Sequence, residues 1–402
     1  MMFPRLRTLR TIRLAEFPNL LWVELEDEEG VCGLGETSTA PGAVEAYLHD
    51  QAAPILRERG CGDIEPLRIA LRPYTGFNSS GAEIRGNSAI DIALWDLLGK
   101  HRQMPVWQLL GGRCRDSIRT YNTCAGYQYI RASDGQNSDN WGLDSTAGPY
   151  EDLNAFLTDA GQLAQSLLDK GISGMKIWPL DRYAEASQGQ SITPTQLDEG
   201  LEPLRQIREA VGDEMQIMFE CHGLWSLAAA RDIARAIAPF DIYWLEDAVL
   251  ADSFEPLREL RQFTDIKLTG SETLAGRRQF RALMEARAVD IVMPDLGWCG
   301  GISEARAIGI IADSFQLPLA PHDCTGPVVW AASCHLSLHA SNALIQESVR
   351  AFYSGWYREL VSALPRVEGG YISLDDGVGH GLALRADRLQ RDDVTIRVTE
   401  LA

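Results

Sequence analysis

Over the first thirty-odd residues apolar and polar positions alternate, as in Leu20, Trp22, Glu24 and Glu26, with a turn at Phe17, Pro18 and Asn19 and a glycine-punctuated stretch through Gly33 and Gly35. A period of two marks strands with one buried face, and short turns between such strands predict an antiparallel meander. From about Pro41 to Gly60 and from Asn87 to Lys100 the apolar spacing lengthens to the helical period, seen in Ile90, Ala93, Leu94, Leu97 and Leu98. Together the two patterns predict a small α+β domain, residues 1–115, ending just beyond Gly111 and Gly112.

After Arg115 the pattern becomes strand, helix, strand, helix. Eight short apolar stretches read as strands: Ile118–Thr123, Gly174–Trp178, Gln216–Phe219, Tyr243–Leu245, Lys267–Gly270, Ile291–Met293, Leu317–Ala320 and Leu344–Gln346. Apolar-periodic helices such as Leu227–Ala236 and Ile302–Ser314 lie between most of them. Regular alternation predicts a closed parallel barrel of the TIM type with crossover helices over residues 116–374. The last segment, residues 375–402, is expected to pack back on the first domain.

At 402 residues the chain is longer than one hydrophobic core usually serves, which agrees with two domains. A hydrophobic fraction of 45% and a charged fraction of 23% exclude a disordered chain. The formal net charge of −19 disfavours nucleic acid and anionic membranes as partners, since both need a positive footprint. No run of apolar residues is long enough to span a bilayer and the N-terminus lacks a signal-peptide layout, so a cytoplasmic location is expected. The eight cysteines form no C-x-x-C pair and read as reduced, mostly buried thiols.

The predicted barrel strands end on ionisable residues. Lys176 follows the second, Glu220 and His222 the third, Glu246 and Asp247 the fourth, Glu272 the fifth, Asp295 the sixth, His322 and Asp323 the seventh and Glu347 the eighth. The C-terminal tips of a TIM-type barrel form one mouth, where active sites lie. Glu220, Glu246 and Glu272 fall at equal intervals of 26 residues, about one strand-helix repeat, so three neighbouring strands aim carboxylates at one point. Any one of them reads equally well as a loop cap. Three converging like charges call for a hard divalent cation, and an all-oxygen set without thiolate points to Mg2+.

Asp295 and His322 sit on adjacent strands, where a carboxylate fixes an imidazole's tautomer and raises its basicity; His322 is the expected general base. If the strand conformation persists, His222 faces the same side as Glu220. It reads as an acid for a leaving group, a further metal ligand or a substrate hydrogen-bond donor. Lys176 is placed to neutralise a substrate carboxylate or a developing enolate, whereas Trp178, two positions on, takes no proton.

These residues resemble the enolase superfamily and, within it, the mandelate racemase subgroup. The matching segments are Met218-Phe219-Glu220, Trp244-Leu245-Glu246-Asp247, Gly270-Ser271-Glu272-Thr273, Met293-Pro294-Asp295 with Gly300-Gly301-Ile302, Pro321-His322 and Ile345-Gln346-Glu347. Gly33-Leu34-Gly35-Glu36 and the run Ala89 to Asp96 match in the smaller domain, so the resemblance covers nearly the whole chain. It implies a (β/α)7β modified TIM barrel capped by an α+β N-terminal domain, with loops near Phe17–Asn19 and Tyr74–Gly86 closing over the substrate. It further implies Mg2+ on Glu220, Glu246 and Glu272, a His322–Asp295 dyad as base, Glu347 as a donor on the oxyanion side, a small carboxylate substrate and a homo-oligomer.

Departures from the subgroup pattern bear on the reaction. Racemases of this group carry Lys-x-Lys after the second strand; here it reads Lys176-Ile177-Trp178, so the second base is missing. His222 resembles the histidine that galactonate and mannonate dehydratases place two residues after a metal carboxylate. The resemblance implies dehydration of an acid sugar to a 2-keto-3-deoxy acid, although the first ligand is Glu220 where those enzymes carry Asp. A cycloisomerase or epimerase of the same superfamily is the nearest alternative. A catalytically silent carboxylate-binding relative is the more distant one.

Overall fold

β1 (Leu6–Leu14), β2 (Leu20–Asp27) and β3 (Cys32–Ser38) form the meander that the alternation predicts, each strand antiparallel to the next. Leu9, Leu21, Val23 and Leu25 are buried in a core shared with the helix Ala82–Arg102. This computed structural model describes residues 3–72, 80–129, 131, 137–143 and 148–401. The strand Val394–Glu400 adds to the open edge of β1, antiparallel, so the chain's end completes the first domain's sheet.

Two expectations for this domain shift. The helix predicted from Asn87 starts at Ala82 and runs to Arg102, because Gly81 precedes it in an extended conformation and Gln103 ends it in the left-handed region. The helix predicted over Pro41–Gly60 is broken: Pro41–Tyr47, a π-turn over Leu48–Ala52, then Ala53–Leu56. Of the two loops expected to close over the substrate, Phe17–Asn19 is a turn with Phe17 buried. Residues 73–79 of the second lie outside the described residues, and from Ala82 that segment is already helical.

The Gly-x-Gly of β3 has a steric cause. A Cβ on Gly33 would lie 2.1 Å from the Ala93 carbonyl oxygen, and one on Gly35 1.9 Å from that of Ala89. Glycines two apart on the strand thus meet alanines four apart on the helix, and only hydrogen atoms fit between. Asp96, one turn further on, accepts from Leu34 N at 2.9 Å and from Lys100 Nζ at 2.7 Å.

In the second domain β4 (Ile118–Thr123), β5 (Gly174–Ile177), β6 (Gln216–Glu220), β7 (Ile242–Glu246), β8 (Leu268–Gly270) and β9 (Ile291–Val292) pair in parallel, each with the next. The seventh position differs from the expected regular strand. Around Leu319 there are only parallel bridges, to Val292 on one side and Ala343 on the other. Pro318 and Pro321 flank this stretch and remove two ladder donors. The eighth strand, β10 (Gln346–Ser348), lies two residues beyond its predicted start, puts Glu347 inside the strand and pairs in parallel with β4, so the ring closes. With helices between successive positions, among them Ala160–Leu168, Pro194–Val211, Leu227–Ile237 and Pro327–His339, the architecture is (β/α)7β.

Tyr121, Met218, Trp244, Ile291, Met293, Ala320 and Ile345 fill the barrel as a separate buried cluster. The closing seam carries a buried ion pair, Arg350 gripping Asp152 with Nε and Nη2 each at 2.7 Å. No helix among the described residues is long and apolar enough to cross a membrane.

The first domain is fastened to the barrel at two loops. Glu36 Oε1 accepts from the first free amides of the helix Pro327–His339, Val328 at 3.0 Å and Val329 at 2.9 Å, while Oε2 accepts from Trp22 Nε1 at 2.7 Å. Thr37 Oγ1 donates to the Gly297 carbonyl at 2.8 Å, Gly300 N to Ser88 Oγ at 2.9 Å, and Ser303 N to Asp91 Oδ2 at 2.9 Å.

Candidate active site

Each carboxylate strand stops abruptly. After β6 the backbone turns through His222 at φ 48°, after β7 through Asp247 at φ 37°, and after β8 through Gly270 at 141° and Ser271 at 115°. Left-handed non-glycine residues are costly and persist where surrounding structure holds them, typically at functional sites. Strand pairing sets Glu220 beside Glu246, and with Glu272 one oxygen of each lies within 4.8 Å of the others.

The cluster carries more negative charge than the protein neutralises. Lys176, inside β5 and buried, sends Nζ to Glu246 Oε1 at 2.5 Å, Glu347 Oε1 at 3.0 Å and Glu220 Oε2 at 3.5 Å. Burial alone would lower its pKa; Glu246 and Glu347 hold it well above its ordinary value instead. Burial and the neighbouring Glu220 push Glu246 well above the carboxylate range. Glu220, equally buried, is held below that range by His222 and Lys176. Its Oε1 accepts from Cys221 N and His222 N at 2.9 and 2.6 Å, whereas its buried Oε2 has only the Lys176 ammonium at 3.5 Å and no hydrogen-bond donor among the described residues. Three oxygen donors, a carboxylate oxygen short of hydrogen-bond donors and uncompensated charge fit a hard divalent cation, and among the described residues no sulfur or imidazole belongs to the set.

His322 Nδ1 lies 2.8 Å from Asp295 Oδ2, and Gly297 N fixes the other oxygen of Asp295 at 2.7 Å. His322 Nε2 is 3.0 Å from Glu272 Oε2. Burial works to lower the imidazole's pKa, but Glu272, Glu347 and Asp295 overcome it and raise it to about 10. His222 Nδ1 lies 2.6 Å from Asp181 Oδ2. Against the same burial penalty, Asp181 and Glu220 raise His222 to about 9. Strand geometry does not carry His222 to this position, contrary to the period-two expectation. β6 ends at Glu220, and the left-handed turn does the work.

Glu347 accepts on both of its oxygens in this structure. Its Oε1 accepts from Thr123 Oγ1 and from Lys176, and its Oε2 accepts from Asp323 N at 2.6 Å. Burial opposes its charge, but Lys176 and His322 hold its pKa below the usual value. Lys176 is likewise committed to protein carboxylates.

A cavity of about 170 Å3 opens over these groups, lined by Lys176, His222, Glu272 and His322 together with Asn19, Ser38, Thr39, Thr123, Tyr129, Trp178, Trp298, Cys324 and Thr325. The sequence reading missed Asp181, although a carboxylate just past the tip of a barrel strand was a readable signal. It also missed Ser38, Thr39 and Trp298, for which no spacing rule exists because they meet only across the domain boundary. A larger groove of about 400 Å3 between the helices Ala82–Arg102 and Gly276–Glu285 is lined by none of the three glutamates and neither histidine of the mouth.

Residues 10–111 match the mandelate racemase / muconate lactonizing enzyme N-terminal domain, and residues 159–388 match the enolase C-terminal domain-like family. A D-galactonate dehydratase family member from Streptomyces bingchenggensis is 30% identical over 339 residues, covering 82% of this chain and 79% of that protein. D-xylonate dehydratase from Haloferax volcanii is 27% identical over 373 residues, 92% and 84% of the two chains. Among solved structures, an enolase of the mandelate racemase subgroup from Agrobacterium tumefaciens superposes with a TM-score of 0.88 at 45% identity, covering 98% of this chain and 99% of that one.

Proposed function

The chain belongs to the mandelate racemase / muconate lactonizing enzyme family of the enolase superfamily, and from that premise we propose that it is a magnesium-dependent acid sugar dehydratase. The observation that carries this reading is a cavity lined by two histidines, each bonded to its own buried aspartate: His322 to Asp295 and His222 to Asp181. Elimination of water needs a base for the α-proton and an acid for the departing hydroxyl, and two separately tuned imidazoles supply both. Trp178, where a second lysine would serve two-base racemisation, cannot take part in proton transfer.

Glu220, Glu246 and Glu272 are the residues that would hold Mg2+, which when bound supplies Lewis-acid stabilisation of charge developing on the substrate carboxylate. Asp295 holds His322 with Nε2 directed away from it, as a base requires. His322 takes the α-proton, and the C–H electron pair becomes the new C–C double bond as the β C–O bond breaks. His222, held protonated by Asp181, delivers its proton to the departing oxygen and water leaves. The enol then tautomerises to a 2-keto-3-deoxy acid. Of the charges that raise His322, Glu272 is the strongest, and it is the one a bound cation neutralises.

The D-galactonate and D-xylonate dehydratases among its relatives support an acid sugar as the substrate class. Family resemblance also supports a homo-oligomer, which light scattering tests. For the reaction itself, the enzyme with magnesium is screened against mono- and diacid sugars, reading keto acid with semicarbazide and deuterium uptake in D2O. A keto-acid product on one or two diastereomers is expected. Deuterium entering the α-position without keto acid would instead make the protein an epimerase or cycloisomerase.

A further inference from the structure

The tip of β3 reaches the base through a single indole. Trp298 lies in the turn that follows Asp295, its ring tilted 31° to that of His322 with centroids 5.4 Å apart. The far end of the indole belongs to the first domain: Trp298 Nε1 donates to Ser38 Oγ at 3.0 Å, and the Arg85 guanidinium lies over the ring, 4.5 Å from its centroid. Arg85 is itself tied to the same strand end, Nη1 donating to the Ser38 carbonyl at 2.9 Å. Next to Trp298 the main chain is held from both domains, Gly297 O by Thr37 and Gly297 N by Asp295.

We propose that Trp298 is a positioning residue that sets the plane of the His322 imidazole, and that Ser38 and Arg85 hold the indole in place, so that docking of the first domain orients the base. Asp295 and Glu272 hold the two ring nitrogens at 2.8 and 3.0 Å and leave the tilt of the ring about the line through those nitrogens open. A packed aromatic face removes that freedom. A base misplaced by about 1 Å costs on the order of 10²-fold in rate. Substrate and metal binding need not change with it.

The inference rests on His322 being the base, so the test reads ring position and turnover separately. The first measurement is the 15N and 1H spectrum of the His322 imidazole in the magnesium-loaded enzyme, assigned against His322→Asn. The compared proteins are wild type, Ser38→Ala, Trp298→Phe, Trp298→Leu and the Ser38→Ala/Trp298→Phe double variant. The second is kcat and KM for dehydration or α-proton exchange. Trp298→Leu is expected to move or broaden the His322 signals and lower kcat about 10²-fold at near wild-type KM, with Trp298→Phe restoring most of that loss. Ser38→Ala is expected to lower kcat about two- to tenfold, the range for one hydrogen bond. The double variant should lose no more than the larger of its single variants, since both changes break the same bond. Unmoved His322 signals in Ser38→Ala and Trp298→Phe overturn the proposal, as does a raised KM with intact kcat, which makes Trp298 only a wall of the cavity. If Trp298→Leu does not fold, Ser38→Ala decides alone. A wild-type enzyme that turns over no acid sugar counts against the proposed function, while the His322 signals still decide the positioning claim.

Discussion

Glu36 is fully buried at the junction of the two domains, and replacing it with glutamine separates its charge from its shape. Its oxygens accept from Trp22 Nε1, Val328 N and Val329 N, yet burial outweighs these donors and raises its pKa from 4.5 to about 7. The folded protein therefore binds this proton more tightly than the unfolded chain. The resulting stabilisation is full below pH 4.5 and is lost as pH rises through 7. At ~1.4 kcal/mol per pKa unit, the loss between pH 5 and pH 8 amounts to about 2–3 kcal/mol. Glu36→Gln keeps the side chain's size and abolishes the titration, although its amide must turn an NH2 toward one of the three donors, a constant penalty of about 1–3 kcal/mol. Urea unfolding of both proteins at pH 5 and pH 8 isolates the effect, because every other titrating group cancels in the difference. Wild type minus variant should fall by about 2–3 kcal/mol from pH 5 to pH 8. An unchanged difference, or one that grows with pH, would refute the claim that Glu36 carries its proton into the folded state.

Replacing His322 with Asn should lower kcat by about 10²–10⁴-fold and stop deuterium uptake at the α-carbon while the protein still binds Mg2+; near wild-type exchange would remove it as the base. Glu246→Gln should weaken Mg2+ by at least about tenfold in calorimetric titration, since even loss of a group supporting a ligand costs that much, and an unaltered isotherm would remove Glu246 from the ligand set. Gly35→Ala forces a methyl into the Ala89 carbonyl and should destabilise by about 1–3 kcal/mol or more in urea melts; a neutral effect would mean that the strand and helix have room to separate.

Much of the site could be read along the chain because a parallel barrel maps spacing onto geometry. Glu220, Glu246 and Glu272, one repeat apart at strand tips, have few places to go except one mouth, and Asp295 and His322 meet because they end neighbouring strands. The same logic failed where local backbone broke the repeat. His222 faces the cavity through a left-handed turn, and the seventh strand is reduced to bridges by its prolines. Neither departure follows from period two. Lys176 and Glu347 lie inside strands rather than beyond their ends, and their engagement with each other depends on how far the strands converge, which spacing does not state.

By itself the sequence determined the repeat of strands and helices, and with it the ring of carboxylates and imidazoles at the barrel's C-terminal face. Hydrophobic periodicity and repeat length are local properties, and a closed parallel sheet turns them directly into positions. Only the tertiary structure decided which groups hold those side chains: Asp181 behind His222, Lys176 among three glutamates, Glu36 on the helix after His322, and Ser38, Arg85 and Trp298 against the base. Those contacts join residues up to 293 positions apart. Those within the barrel depend on how its strand tips and turns converge, and those of Glu36, Ser38 and Arg85 on how the two domains press their surfaces together; neither follows from the order of residues alone.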